Sequence, residues 1–122
     1  MDITNVQTLE DYLASLTITW IPVTYLNGWV DFDTNRKSEY YKDALGYVHL
    51  RLGCKNGTTE YPFEMPDGYI PNKWTQEPII TYLTGSSFAY TPNVILNTNG
   101  IVLFNNYSNV ACINTEIVYK AA

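Results

Sequence analysis

The sequence predicts an all-β fold, an antiparallel β-sandwich or jelly-roll-like barrel with a short N-terminal helix. Three observations predict it. Eight or nine short segments rich in β-branched and aromatic residues alternate with turn signals at Asn27-Gly28, Asn56-Gly57, Pro66-Asp67-Gly68 and Asn99-Gly100. The segment Tyr47-Val48-His49-Leu50-Arg51-Leu52 alternates strictly, which assigns Val48, Leu50, Leu52 and then Cys54 to a core face and Tyr47, His49 and Arg51 to the other face. Finally, aromatic residues make up 15% of the chain and eleven of them are tyrosine, a residue suited to strands and to half-wetted surfaces.

Each element has its own signal. Thr8 is expected to cap a helix, Glu10 and Asp11 suit a first turn, and Leu9, Tyr12, Leu13 and Leu16 fall on one face at helical spacing. The helix and a lead-in strand occupy residues 1–19, and the β domain occupies 20–122. Strands are expected over Thr17–Ile21, Gly28–Phe32, Glu39–Asp43 and Tyr47–Leu52. Tyr61–Met65 is extended, with Pro62 arguing for an edge or a bulge. Further strands are expected over Pro78–Leu83, Asn93–Asn97, Ile101–Phe104, Val110–Ile113 and Thr115–Tyr119. In the turns, proline fixes φ and glycine permits positive φ.

A chain of 122 residues makes one domain. Its net charge of −5, with seven scattered basic residues of which Arg36-Lys37 is the largest cluster, argues against nucleic-acid binding, which needs clustered cations to displace counterions. No apolar run approaches a membrane span, and the first residues lack the basic and apolar regions of a signal peptide. Charged residues are only 16%, so Asn, Thr, Ser and Tyr must supply the polar surface. That composition suits a virion or extracellular surface.

No engine for catalysis stands out. The one histidine, His49, lies mid-strand and reads as a hydrogen-bonded or interface residue; no nucleophile elbow accompanies it. Asp31, Asp33, Glu39 and Asp43 could supply a carboxylate pair for glycoside hydrolysis, but their spacing specifies nothing beyond surface acids. Asp31, Asp33 and Asn35 alternate as calcium ligands do, yet Arg36 and Lys37 follow where they would repel the ion, and a solvated loop is the better reading. No catalytic residue, metal or cofactor is expected. Cys54 and Cys112 read as small hydrophobes, with a bridge between them left open. The isolated glycines read as turn-like. The acceptor-like strings Asn56-Gly57-Thr58 and Asn106-Tyr107-Ser108 matter only in a eukaryotic secretory protein. What remains is a set of aromatics, Trp20, Trp29, Trp74, Tyr40, Tyr41, Tyr69, Tyr82, Tyr90 and Tyr107, that serve equally for cores, for subunit interfaces and for stacking on sugars.

Three segments together carry a resemblance: Leu26-Asn27-Gly28-Trp29-Val30-Asp31-Phe32; Tyr40-Tyr41-Lys42-Asp43-Ala44-Leu45-Gly46-Tyr47-Val48-His49-Leu50-Arg51-Leu52, continuing through Lys55-Asn56-Gly57-Thr58; and Phe63-Glu64-Met65-Pro66-Asp67-Gly68-Tyr69-Ile70-Pro71. In order and spacing they resemble the C-terminal head domain of tail-fibre and baseplate receptor-binding proteins from phages and prophages of Gram-positive bacteria, with Asn97 to Leu103 at the place of the closing hairpin. The chain departs from that pattern at Leu52-Gly53, at Glu64-Met65-Pro66 and at Ile70. The resemblance implies a homotrimer at a phage tail tip, made in the bacterial cytoplasm and assembled into the virion beside other tail or baseplate proteins, either as the excised head of a longer protein or as a free-standing small one.

The function expected on that basis is host adhesion: binding of a cell-wall saccharide such as a wall polysaccharide or teichoic acid, with weak sites strengthened by multivalency. The alternative is a structural trimerisation or assembly module that touches no receptor. Loop position nominates Trp74, Tyr69, Asn72, Arg36 and Asp33 as saccharide contacts.

Overall fold

The computed structural model describes residues 18–79, 81–83, 92–105 and 110–122, and the side chains of 81–83 and 110–112 are left aside. The expected N-terminal helix, Tyr90, Tyr107, the string from Asn106 to Ser108 and the side chains of Tyr82 and Cys112 lie outside that description. Among the described residues there are ten strands and no helix: β1 Ile21–Pro22, β2 Val30–Asp31, β3 Glu39–Lys42, β4 Tyr47–Lys55, β5 Phe63–Glu64, β6 Thr75–Pro78, β7 Thr81–Leu83, β8 Asn93–Leu96, β9 Ile101–Asn105 and β10 Val110–Lys120.

The strands form two antiparallel sheets. The first runs β1-β3-β4-β10-β7, with β2 also pairing β4, and the second runs β5-β9-β8-β6. Among the described residues neither sheet closes on itself, so the barrel form of the expected fold is not what forms. Both sheets contribute to one buried cluster. Val48, Leu50, Leu52 and Cys54 of β4 join Ile113, Ile117 and Tyr119 of β10 from the first sheet, and Phe63, Val94, Leu96, Val102 and Phe104 from the second. The alternation read from the sequence around Tyr47–Leu52 is thus the alternation of core and surface.

Several strand bounds differ from expectation, and three of the differences have a clear physical reason. Among the described residues the lead-in strand starts only at Ile21 and takes in Pro22. The ring's missing N–H is tolerated because β1 is an edge strand among the described residues, with β3 as its partner. The segment Pro78–Leu83 is two strands in different sheets. β6 ends at Pro78, and the chain passes the buried Ile79 to enter β7. The polar, mostly exposed Thr75-Gln76-Glu77 of β6 carries no apolar alternation, so it was not recognisable as a strand. Conversely, the two closing strands are one. Asn114 continues β10 opposite Gly53, and the only irregularity is a register shift between Val110 and Cys112.

Glycines 53 and 57 are among the positions where the chain leaves no room for a side chain. A Cβ on Gly53 would stand 2.6 Å from the carbonyl carbon of Arg36, so the loop 32–38 lies directly on β4 there. A Cβ on Gly57 would fall within 1.7 Å of the Trp29 ring, which is buried against Phe104 and donates its indole N–H to the Thr59 carbonyl at 2.9 Å. Trp29 and Tyr40, both candidates for a binding surface, are therefore core residues.

Candidate functional site: the outer face of the first sheet

The pairing registers place residues of neighbouring strands in rows across the outer face. Glu39 pairs with Arg51, and Arg51 with Glu116. One step along, Tyr41 pairs with His49, and His49 with Val118. Trp20, just before β1, extends the second row: its ring meets Tyr41 edge-on at 4.6 Å. Tyr41 in turn stacks on His49, with planes 4° apart and centroids at 4.4 Å. The Arg51 guanidinium ties the rows together. It lies 4.0 Å above the Trp20 ring centroid, 3.5 Å from Glu39 and 3.9 Å from Glu116.

Asp43 organises the end of this face where β3 turns into β4. One carboxylate oxygen accepts the amides of Leu45 and Tyr47, each at 3.0 Å, and the other lies 3.0 Å from Nε2 of His49. The His49 contact first, and then the Tyr47 amide, hold the Asp43 carboxyl below its ordinary range. His49 is thus oriented from two sides, by a carboxylate and by a stacked phenol.

At the opposite end the loop 32–38 is built by polar contacts. Asp33 accepts the amides of Asn35 and Arg36 and pairs with the Arg36 guanidinium at 2.7 Å; the guanidinium contact is the leading cause that lowers its carboxyl below the usual range. Arg36 also lies over the Phe32 ring at 4.1 Å. Beneath, the Tyr25 hydroxyl donates to Asp31 at 2.6 Å, the Ser38 amide donates to the same carboxylate at 3.2 Å, and the Gly53 amide donates to the Ser38 hydroxyl at 3.1 Å. Burial, and then the hydrogen bond to Asp31, drive the Tyr25 phenol far above its ordinary range.

Between this loop and β10 lies a groove of about 320 Å³, lined by Asn35, Arg36, Glu39, Arg51, Asn114 and Glu116 among others. It presents guanidinium donors, carboxylate acceptors and amides that do both. Its size falls at the lower end of ordinary small-ligand sites, roughly 300–1,000 Å³.

The five residues nominated from the sequence do not converge. Arg36 borders the groove, and Asp33 is the residue that holds it. Tyr69 packs edge-on against Tyr40 at 4.9 Å, with the Lys42 ammonium 5.2 Å over its ring, and its carbonyl accepts the Tyr119 hydroxyl at 2.5 Å. The Asn72 amide donates to the Lys120 carbonyl. Lys120 pairs with Tyr47 at one end of β4, whereas the Arg36 loop crosses Gly53 near the other. Six residues of extended chain separate those positions by about 20 Å. Trp74 is 55% exposed and stands next to β6, on the second sheet. Loop position alone could not reveal this division.

The residues that sequence reasoning missed are Glu39, Arg51, Asn114 and Glu116 as one group. The alternation did place Arg51 on the polar face. Its partners come from strands 12 and 65 positions away, and only the register brings them together. The four acids considered for hydrolysis are likewise divided: Asp31 is held by Tyr25 and Ser38, Asp33 by Arg36, Glu39 by Arg51 and Asp43 by His49. No helix among the described residues is long and apolar enough to cross a membrane. No protein-family model, curated protein or solved structure matches the chain.

Proposed function

We propose that this chain is the saccharide-adhesion domain of a bacteriophage tail, a β-sandwich that works as a homotrimer at the tail fibre or baseplate tip and grips the cell wall of a Gram-positive host. The observation that carries the reading is the groove between the 32–38 loop and β10. There Arg36 pairs with Asp33, and Arg51 lies between Glu39 and Glu116 and over the Trp20 ring. Sugar hydroxyls both donate and accept, and such alternating donors and acceptors match them. The reading is of adhesion rather than hydrolysis. It is supported by the separate partners of Asp31, Asp33, Glu39 and Asp43, which leave no facing pair of free carboxylates among those four. The segment resemblance from Leu26 to Pro71 supplies the phage-tail context.

Co-sedimentation with purified Gram-positive cell walls tests it. The intact chain is expected to sediment with walls of its host, and Arg51→Ala to bind at least tenfold more weakly with its fold unchanged. Equal sedimentation of the variant would remove the groove from the account.

A second reading has its own observation. Val118 is 51% exposed and Tyr47 42% exposed on the two long central strands, where an apolar contact with another subunit would cover them. In that reading the outer face is an assembly surface for trimers or for other tail proteins. Light scattering distinguishes the states: a trimer has a mass of about 42 kDa, three times the 13.9 kDa of the chain. A chain that trimerises but ignores walls would favour the assembly reading.

A further inference from the structure

We infer that the groove takes an uncharged saccharide and rejects anionic phosphodiester polymers; this rests on the adhesion reading above and narrows its ligand class. Three cations stand at the groove, Arg36, Lys37 and Arg51. Three carboxylates answer them: Asp33 lies 2.7 Å from Arg36, and Glu39 and Glu116 flank Arg51 from both sides at 3.5 and 3.9 Å. Among the described residues these charges balance, three against three. A phosphate entering the groove would meet Glu39 and Glu116 beside Arg51 and would compete with them for the two-pronged contact that makes arginine a strong phosphate binder.

The long-range field acts in the same direction. The chain carries a net charge of −5, so a polyanion approaching it is repelled before any contact forms. A neutral sugar meets neither obstacle. Its hydroxyls can donate to the outer lone pairs of Glu39 and Glu116 and accept from the guanidinium N–H groups, without breaking the ion pairs that position them. Asn35 and Asn114 add amides that serve in either sense.

The experiment is wall binding by the intact chain, measured from about 50 to 500 mM NaCl, a range over which screening of exposed charges changes severalfold in length. It is repeated with soluble poly(glycerol phosphate) as competitor. The inference predicts binding that changes less than twofold with salt and is not displaced by the polymer. A tenfold loss with salt, together with displacement by poly(glycerol phosphate), would overturn the neutral-ligand assignment while leaving adhesion standing. Failure to bind walls at any salt would overturn adhesion, and this inference with it. A complementary variant acts in the opposite direction. Glu39→Gln with Glu116→Gln releases Arg51 from both carboxylates, and affinity for poly(glycerol phosphate) is expected to rise at least tenfold over the unaltered chain. No rise would contradict the claim that these two acids exclude the anion.

Discussion

The two faces of β4 are made by the same nine residues and obey different rules. On the inner face Val48, Leu50, Leu52 and Cys54 are fully or almost fully removed from water and share one cluster with both sheets. On the outer face Tyr47, His49 and Arg51 remain partly wet, and each is fixed by a named polar or aromatic partner: Lys120 over Tyr47, Asp43 and Tyr41 on His49, and Glu39, Glu116 and Trp20 around Arg51. Apolar burial is non-directional and scales with area, so the inner face carries stability. Exposed ion pairs add little to stability. Their value on the outer face is geometric: they hold donors and acceptors at fixed places.

The sharpest way to break this contrast is to cut into each face in turn. Leu50→Ala leaves a cavity at the centre of the cluster and is expected to lower unfolding free energy by about 2–5 kcal/mol, measured by urea denaturation. Next in size is Gly53→Ala, whose methyl would meet the backbone of Arg36. Overpacking of this kind costs about 1–3 kcal/mol, and wall binding is expected to fall with it because the loop carrying Arg36 must move. If Gly53→Ala proved as stable as the parent, the close crossing of loop and strand would be wrong. Arg51→Ala should show the reverse pattern: a stability change within about 1 kcal/mol, with wall binding down tenfold or more.

Titration sharpens the contrast further. The Asp33 and Asp43 carboxyls are lowered on folding, by Arg36 and by His49 respectively. A lowered carboxyl favours the folded state above its unfolded value of about 4, and that contribution is lost as pH falls through the folded value. Stability should therefore decline below about pH 4, and Asp43→Asn should flatten part of the decline in acid-titrated thermal melts. Beneath the loop the sign is opposite. The Tyr25 phenol is raised, so its contribution is complete below about pH 10 and is lost as pH climbs beyond that value. Tyr25→Phe should lessen the alkaline loss of stability while weakening the fold at neutral pH, since Asp31 then loses a hydrogen bond.

The same division explains what could be read in advance. Alternation exposed the inner face of β4, and the Asn-Gly and Pro-Asp-Gly strings marked turns where Asn27, Gly28, Asn56, Gly68 and Gly100 have positive φ. These are local signals. Trp29 and Tyr40 carried no local mark of burial, because an aromatic residue suits a core and a binding surface equally. β6 carries no local strand signal over Thr75, Gln76 and Glu77, because its edge position leaves them without an apolar face. The Arg51 group was illegible for a different reason: Glu39, Arg51 and Glu116 are joined only by the registers of β3 with β4 and of β4 with β10. Those registers are non-local, and no local pattern around any of the three residues encodes them. Tyr69, Asn72 and Trp74 were nominated by loop position, which carries no information about distance from Arg36.

The central claim is that ligand meets the Arg51 end of the outer face and leaves the Tyr69–Trp74 segment untouched. Backbone amide shifts recorded while solubilised wall polysaccharide is added test it directly. The account predicts shifts concentrated at Asn35, Arg36, Glu39, Arg51, Asn114 and Glu116, with Tyr69, Asn72 and Trp74 unmoved. Shifts gathered at Tyr69, Asn72 and Trp74, with the Arg51 group silent, would contradict it.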